Sequence, residues 1–204
     1  MKVALINENS QAPKNALIFE LLQRTAKPYG HTVTNYGRYS AEDPNERTYV
    51  QAGLLAGILL NSGAADLVIT GCGTGEGAMM ACNAFPNVTC GLVNDPLDAT
   101  LVAQVNNSNA VALPYAKCFG WGGELNLEYT FEKLFAADFG SGYPEEWAAA
   151  EKRNKAILDK VKKVSHKDML TILQEIEKDF LMGTIAGERF AELFLANCED
   201  NELS

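Results

Sequence analysis

Over its first 135 residues the chain alternates short apolar, β-branched runs with stretches of helical spacing, and this alternation constrains the fold more than any other feature. Residues 3–6, 31–36, 67–70, 88–93 and 110–113 read as strands. Residues 12–29, 48–62, 78–85, the stretch after Asp95, and 122–135 read as helices. Gly30 and Gly63 stand where helices stop. Asp95 is an N-cap, with Pro96 at the first helical position, where a missing N–H costs nothing. Strands alternating with helices predict an α/β fold with a parallel sheet covered on both faces. Ligands of such sheets sit at the carboxyl ends of the strands.

The pattern changes after residue 135. A turn-rich link, A-A-D-F-G-S-G-Y-P, leads to a stretch without strand signal. Residues 145–164, 167–178 and 184–196 read as helices, with Ser165 as an N-cap and Asp168 three residues on. The expected organisation is an α/β domain over 1–140 and an all-helical C-terminal extension over 141–204. Its helices are expected to pack over a sheet edge, the site mouth or a subunit interface. Trp121 and Trp147 flank the link and are expected in the core.

Bulk properties exclude several classes. A net charge of −9 argues against nucleic acid or an anionic membrane as the main partner. No run approaches the length of a membrane span, and the first residues lack the apolar run of a signal peptide. The five cysteines, Cys72, Cys82, Cys90, Cys118 and Cys198, are odd in number and form no C-x-x-C pair. They read as reduced thiols of a cytoplasmic protein.

The chemistry concentrates in L-V-I-T-G-C-G-T-G-E-G-A-M-M-A-C-N, residues 67–83. A strand, a glycine loop and a helix start present backbone N–H groups to one point, a geometry that stabilises an anion. Cys72 at the mouth is a candidate base or nucleophile, and Thr74 offers a hydroxyl to a carbonyl. A buried packing role for the cysteine is the competing reading. A dinucleotide fingerprint is another, since Gly73, Gly75 and Ala78 fit G-x-G-x-x-A with Asp95 downstream. Against it, the loop follows the third strand rather than the first, and Asp95 is explained as a cap.

These features together resemble the ribose-5-phosphate isomerase B / galactose-6-phosphate isomerase family. The matching elements are N-E-N at 7–9, Y-G-H-T-V-T-N-Y-G at 29–37, C-G-T-G at 72–75, N-D-P at 94–96 and N-N-S-N-A-V-A-L at 106–113. The resemblance implies a Rossmann-like, three-layer fold on a five-stranded parallel sheet. It also implies a homodimer with active sites between subunits, and aldose–ketose isomerisation of a pentose or hexose sugar or sugar phosphate without a metal or other cofactor. Carried over, Cys72 would move the proton between C1 and C2. Thr74 and the amides over Gly73, Gly75, Glu76 and Gly77 would hold the enediolate. Glu8, Asn9, Tyr49 and Asn106 would contact the substrate.

The departures are specific. Asn9 and Val105 stand where the family has histidines, the second of which opens the sugar ring. Ala116, Gly142 and Glu146 stand where it has phosphate-binding arginines, which points to an unphosphorylated sugar or a rebuilt distal pocket. Lys117, Lys152 and Arg153 are the nearby cations, and Glu8 and Glu76 the acids that could open the ring. His31 reads as structural and His166 as a surface residue. The alternative on the same fold is a non-catalytic sugar- or nucleotide-binding protein.

Overall fold

The computed structural model of the chain describes residues 1–117, 119–187, 189–199 and 203. Five strands, β1 (Lys2–Asn7), β2 (Thr32–Asn35), β3 (Leu67–Cys72), β4 (Cys90–Leu92) and β5 (Ala110–Pro114), form one parallel sheet in the order β2-β1-β3-β5-β4. The direction of winding reverses between β1 and β3, which opens a crevice above their carboxyl ends.

Alternation along the strands separates two cores. Ala4, Ile6, Val68, Ala110 and Ala112 face α2 (Tyr49–Asn61) and α3 (Glu76–Asn83). Val3, Leu5, Leu67, Ile69, Val111 and Leu113 face α1 (Asn15–Ala26), α4 (Pro96–Gln104) and α5 (Gly123–Phe135). The small side chains of the first set let α2 and α3 pack closely. A Cβ on Gly53 of α2 would stand 2.6 Å from the carbonyl carbon of Ala81 in α3. A capping box starts α2, with Thr48 and Gln51 each bonded to the other's backbone N–H. Asp95 caps α4 as expected, accepting from the Asp98 N–H at 2.9 Å.

The helix expected at 12–29 begins later than its spacing suggests. Residues Asn9–Lys14, which include Pro13, form a 3-10 turn, and the α-helix follows from Asn15. Beyond the link lie α6 (Ala148–Ser165), α7 (Met169–Glu175), α8 (Lys178–Ile185) and α9 (Phe190–Asn197). The expected helix at 167–178 is cut at Ile176, whose backbone is extended, and α8 runs across the break expected at 179–183. Ser165 is the last residue of α6 rather than a cap. Asp168 caps α7 instead, accepting from the Thr171 N–H at 2.8 Å.

The last three helices pack on α2, and α9 also reaches Tyr36 just past the edge strand β2, with ring centres of Phe190 and Tyr36 6.0 Å apart and the Tyr36 hydroxyl donating to Leu193 O at 3.4 Å. They lie on the outer side of α2, where Met169, Phe190 and Phe194 are buried against it. This cover explains why α2 is apolar on every side. Lys2 Nζ donates to Asn197 O at 3.2 Å and the Glu199 N–H to Ser62 O at 3.0 Å, fastening the end of the tail. Among the described residues no helix is long and apolar enough to cross a membrane.

Candidate active site

The register of the sheet builds the site. Asn7 ends β1 directly beside Gly71 of β3, so Glu8–Asn9 and Cys72–Gly73 leave the sheet side by side. The loop after β5 closes the other flank, with the Tyr115 N–H donating to Cys72 O at 2.9 Å and the Ala116 N–H to Gly73 O at 3.0 Å. Residue 71 must be glycine here, because a Cβ would stand 2.4 Å from both Leu113 O and the Tyr115 ring. Gly75 takes a left-handed conformation, φ 80°, to turn the chain into α3.

The half-buried Cys72 thiol lies inside this turn. The Gly75 N–H points at its sulfur, 3.2 Å away. Of the amides expected to hold an oxyanion, that of Gly75 is therefore engaged by the sulfur. The amides of Glu76 and Gly77 open the first turn of α3, where no intrahelical carbonyl is available. The first helical bond is Met79 N–H to Gly75 O at 2.9 Å. Thr74 is exposed on the lip. Tyr49, 45% exposed, lies against the loop, its ring 3.3 Å from where a Cβ on Gly77 would be.

Glu8 is buried, and both carboxylate oxygens accept from Ser10: Oε2 from its N–H at 2.9 Å, Oε1 from its hydroxyl. Asn9, next in the chain, is bonded to the loop at 38–47. Its Oδ1 accepts from Arg38 Nη1 at 3.0 Å and from the Arg47 N–H at 2.5 Å, and its own N–H donates to Arg47 O at 2.8 Å. It holds the loop at 38–47, not an open position. Arg47 is itself buried, with Nη1 donating to Tyr36 O at 2.9 Å, and desolvation lowers its pKa to about 10. Glu76 is exposed and pairs with Lys117 at 3.0 Å, a surface pair of small energetic value.

Asn106 is not with the others. It lies in the exposed turn between α4 and β5, at the amino end of the sheet. Ala110 pairs with Val68 and Pro114 with Cys72, so about 13 Å of strand separates the two ends. There it borders a cavity of about 440 Å3 with Thr89, Ser108, Asn154 and Lys155. The lost arginine positions hold nothing that replaces a guanidinium: Ala116 and Glu146 are exposed, and Gly142 turns against Ala148. Lys152 and Lys155 line a second cavity beside Asn107, about 200 Å3. Cys118 lies outside the described residues.

Neither histidine is at the Cys72 end. His31 begins β2 from the amino side and packs between Tyr29 and Phe135. Burial first, then the neighbouring N-terminus, lowers its pKa, against a smaller opposing effect of Asp66. His166 follows α6 and contacts Asn83 O. Trp121 and Trp147 are 105% and 64% exposed, not core residues.

Sequence reasoning missed Lys14. Its ammonium donates to Gln11 Oε1 at 2.9 Å and to Tyr115 O, and stands 4.4 Å from the Phe119 ring centre. Desolvation lowers its pKa. A lysine after a proline at a helix start carries no signal of this, because the partner that ties it to the site, Tyr115, lies 101 residues away.

Comparison with known proteins agrees with this geometry. The ribose/galactose isomerase family model matches residues 3–142, and a second, described as ribose-5-phosphate isomerase, matches 164–204. The structure of a 4-deoxy-L-threo-5-hexosulose-uronate ketol-isomerase complexed with a tartrate is 56% identical, with a TM-score of 0.96 over 100% of this chain and 95% of that one. A ribose-5-phosphate isomerase from Vibrio parahaemolyticus is 46% identical with the same TM-score and coverage. A type B ribose 5-phosphate isomerase from Trypanosoma brucei, 21% identical, shares the fold over 78% of this chain and 97% of its own, with a TM-score of 0.65. The chain belongs to the ribose/galactose isomerase family.

Proposed function

We propose that the chain is an aldose–ketose isomerase working through a cis-enediolate, with Cys72 as the carbon base and an acidic sugar of the uronate kind as substrate. One observation carries the reading: the Cys72 sulfur, the Glu76 and Gly77 amides at the start of α3 and the Glu8 carboxylate lie at one end of the sheet.

The chemistry follows from those positions. The Cys72 thiolate takes the proton from C2 of the aldose. The C–H electron pair forms the C1–C2 double bond, and the carbonyl pair moves onto O1. The Glu76 and Gly77 amides and the helix start stabilise that oxyanion as it develops. Glu8 moves the O2 proton to O1. The Cys72 thiol then returns a proton to C1 as C2 becomes the carbonyl. Glu8 also takes the ring-opening role left by Asn9 and Val105, since Glu76 is exposed and paired with Lys117. Thr74 and Tyr49 border the substrate.

A homodimer completes the site. α6 turns Glu151, Lys155 and Lys162 toward its own chain, and His166 just after it does the same. Ile157, Val161 and Val164, spaced i, i+4, i+7, are 58%, 51% and 87% exposed. That stripe suits a second copy. Asn106 of the partner subunit would then reach the Cys72 end, bringing its cavity to the far end of the substrate. The missing arginine forks disfavour a phosphate dianion, and the cavity's one lysine, Lys155, is already paired with Asp159 at 2.6 Å. The name of the 56% identical relative points the same way. The four described cysteines are free, which fits a cytoplasmic enzyme.

The test is solvent-deuterium exchange by NMR on uronates, free sugars and sugar phosphates, ribose 5-phosphate among them. Deuterium entering beside the carbonyl of a uronate, and lost in Cys72→Ala, is expected. Exchange on phosphorylated sugars alone would overturn the substrate class. Exchange that persists in Cys72→Ala would overturn the base. Binding without exchange on any sugar would point to a non-catalytic binding protein.

A further inference from the structure

Glu8 carries a buried carboxylate, yet among the described residues no cation pairs with it directly. Its charge is met through a chain of donors instead. Lys14 Nζ donates to Gln11 Oε1 at 2.9 Å, Gln11 Nε2 to Ser10 Oγ at 2.9 Å, and Ser10 Oγ to Glu8 Oε1. Every bond runs the same way, from ammonium to carboxylate, so each polarises the next. The 3-10 turn over Asn9–Lys14 makes the chain possible, since it folds Ser10, Gln11 and Lys14 back over the end of β1.

The far end of the chain is anchored to the other flank of the site. Lys14 also donates to Tyr115 O, and the Tyr115 N–H donates to Cys72 O. The β1 loop that carries Glu8 and the β5 loop that backs Cys72 are thus joined through one ammonium. Both of its hydrogen-bond acceptors belong to the protein, and Phe119 covers a further side at 4.4 Å. These contacts make Lys14 a brace, not a substrate anchor.

We infer that Lys14 is a positioning residue that holds Glu8, through Gln11 and Ser10, at a fixed place relative to Cys72 for the oxygen-to-oxygen proton transfer. The inference rests on the enediolate reading above. It makes a separable claim about which step suffers. With Glu8 misplaced, Cys72 still removes the carbon proton of an open-chain substrate, which needs no ring opening by Glu8. The enediolate then collapses back to aldose more often than it goes forward, after the thiol has exchanged its proton with solvent. Deuterium accumulates in unreacted substrate while ketose formation slows.

The experiment uses an open-chain substrate, so that ring opening does not enter, and measures both rates in deuterated solvent for Lys14→Met, Lys14→Arg, Glu8→Gln and the double variant Glu8→Gln with Lys14→Met. Lys14→Met is expected to lower kcat about tenfold, the scale of one lost charge-assisted bond, with KM changed less than about twofold. The ratio of exchange to isomerisation should rise with it. Lys14→Arg should keep much of the normal ratio, and Lys14→Met should add nothing in the Glu8→Gln background. Gln11→Leu cuts the same chain without touching the ammonium, and it replaces Lys14→Met if that variant fails to fold. Equal loss of both rates, a change in KM alone, or full additivity with Glu8→Gln would overturn the inference. Exchange retained in Cys72→Ala would instead overturn the reading beneath it.

Discussion

The two ends of the sheet divide the labour of the molecule differently. At the carboxyl end, the β1, β3 and β5 loops are tied to one another within one chain, and the sulfur, the helix start and the buried carboxylate are all in place. At the amino end, Asn106 borders an open cavity whose wall includes the Cys90 thiol, held protonated by its neighbour Cys82 and by burial, beneath a helix whose apolar stripe faces outward. α2 and α6 express the same contrast. In α2, residues from Ala52 to Leu60 are all buried, because the chain supplies its own cover in α7–α9. In α6 no residue is buried. One end is finished by the chain itself. The other has the form of a surface finished by a second copy.

Subunit mixing puts the largest effect on this contrast. Cys72→Ala should abolish turnover, and Asn106→Ala should reduce it at least about a hundredfold, each with an unchanged circular dichroism spectrum. If the two residues act across subunits, half of the randomly mixed dimers carry one intact site, and activity returns to about a quarter of normal. No recovery on mixing, after subunit exchange is demonstrated, would place the complete site in one chain.

A smaller effect separates the two helices. Phe194→Ala opens a cavity over α2 and should cost about 3 kcal/mol of folding stability, measured by denaturant unfolding. Val161→Lys on α6 should leave the stability of the single chain within about 0.5 kcal/mol, because the side chain is exposed there. It should instead shift sedimentation toward the monomer and lower activity at low protein concentration. A monomeric wild-type chain would break the comparison outright.

The sheet and the glycine loop were legible because their signals are local. Alternation of apolar side chains marks the strands, and Gly71 and Gly75 stand where a side chain would collide or a left-handed turn is required. The placement of Asn106 was also legible in principle, since a residue just before a strand in a parallel sheet must lie at its amino end. The rest depends on partners distant in sequence. Asn9 braces the loop at 38–47, where Arg38 and Arg47 both donate to its Oδ1. The tail packs on α2, which is apolar all round, and on Tyr36 beside the edge strand, contacts that span more than 100 residues of sequence. Ser165 reads as the N-cap, with Asp168 as the residue three on that completes a capping box. The choice falls to Asp168 because α6 continues through Ser165, leaving only Asp168 beside the free N–H groups of α7.

The smallest effect concerns His31, at the amino end and packed between Tyr29 and Phe135. Burial lowers its pKa below the ordinary 6.5, so the folded chain prefers the neutral ring. Below pH 6.5 the unfolded chain takes up a proton that the folded one resists, and stability falls as the solution is acidified through that range. The ring is partly exposed, so the effect is a slight fall in Tm between pH 7 and pH 5. His31→Phe keeps the aromatic contacts and removes the titration, so it should flatten that part of the profile and leave kcat unchanged. A fall in kcat would bring chemistry to the end of the sheet that has none of its own, and the division between the two ends would no longer hold.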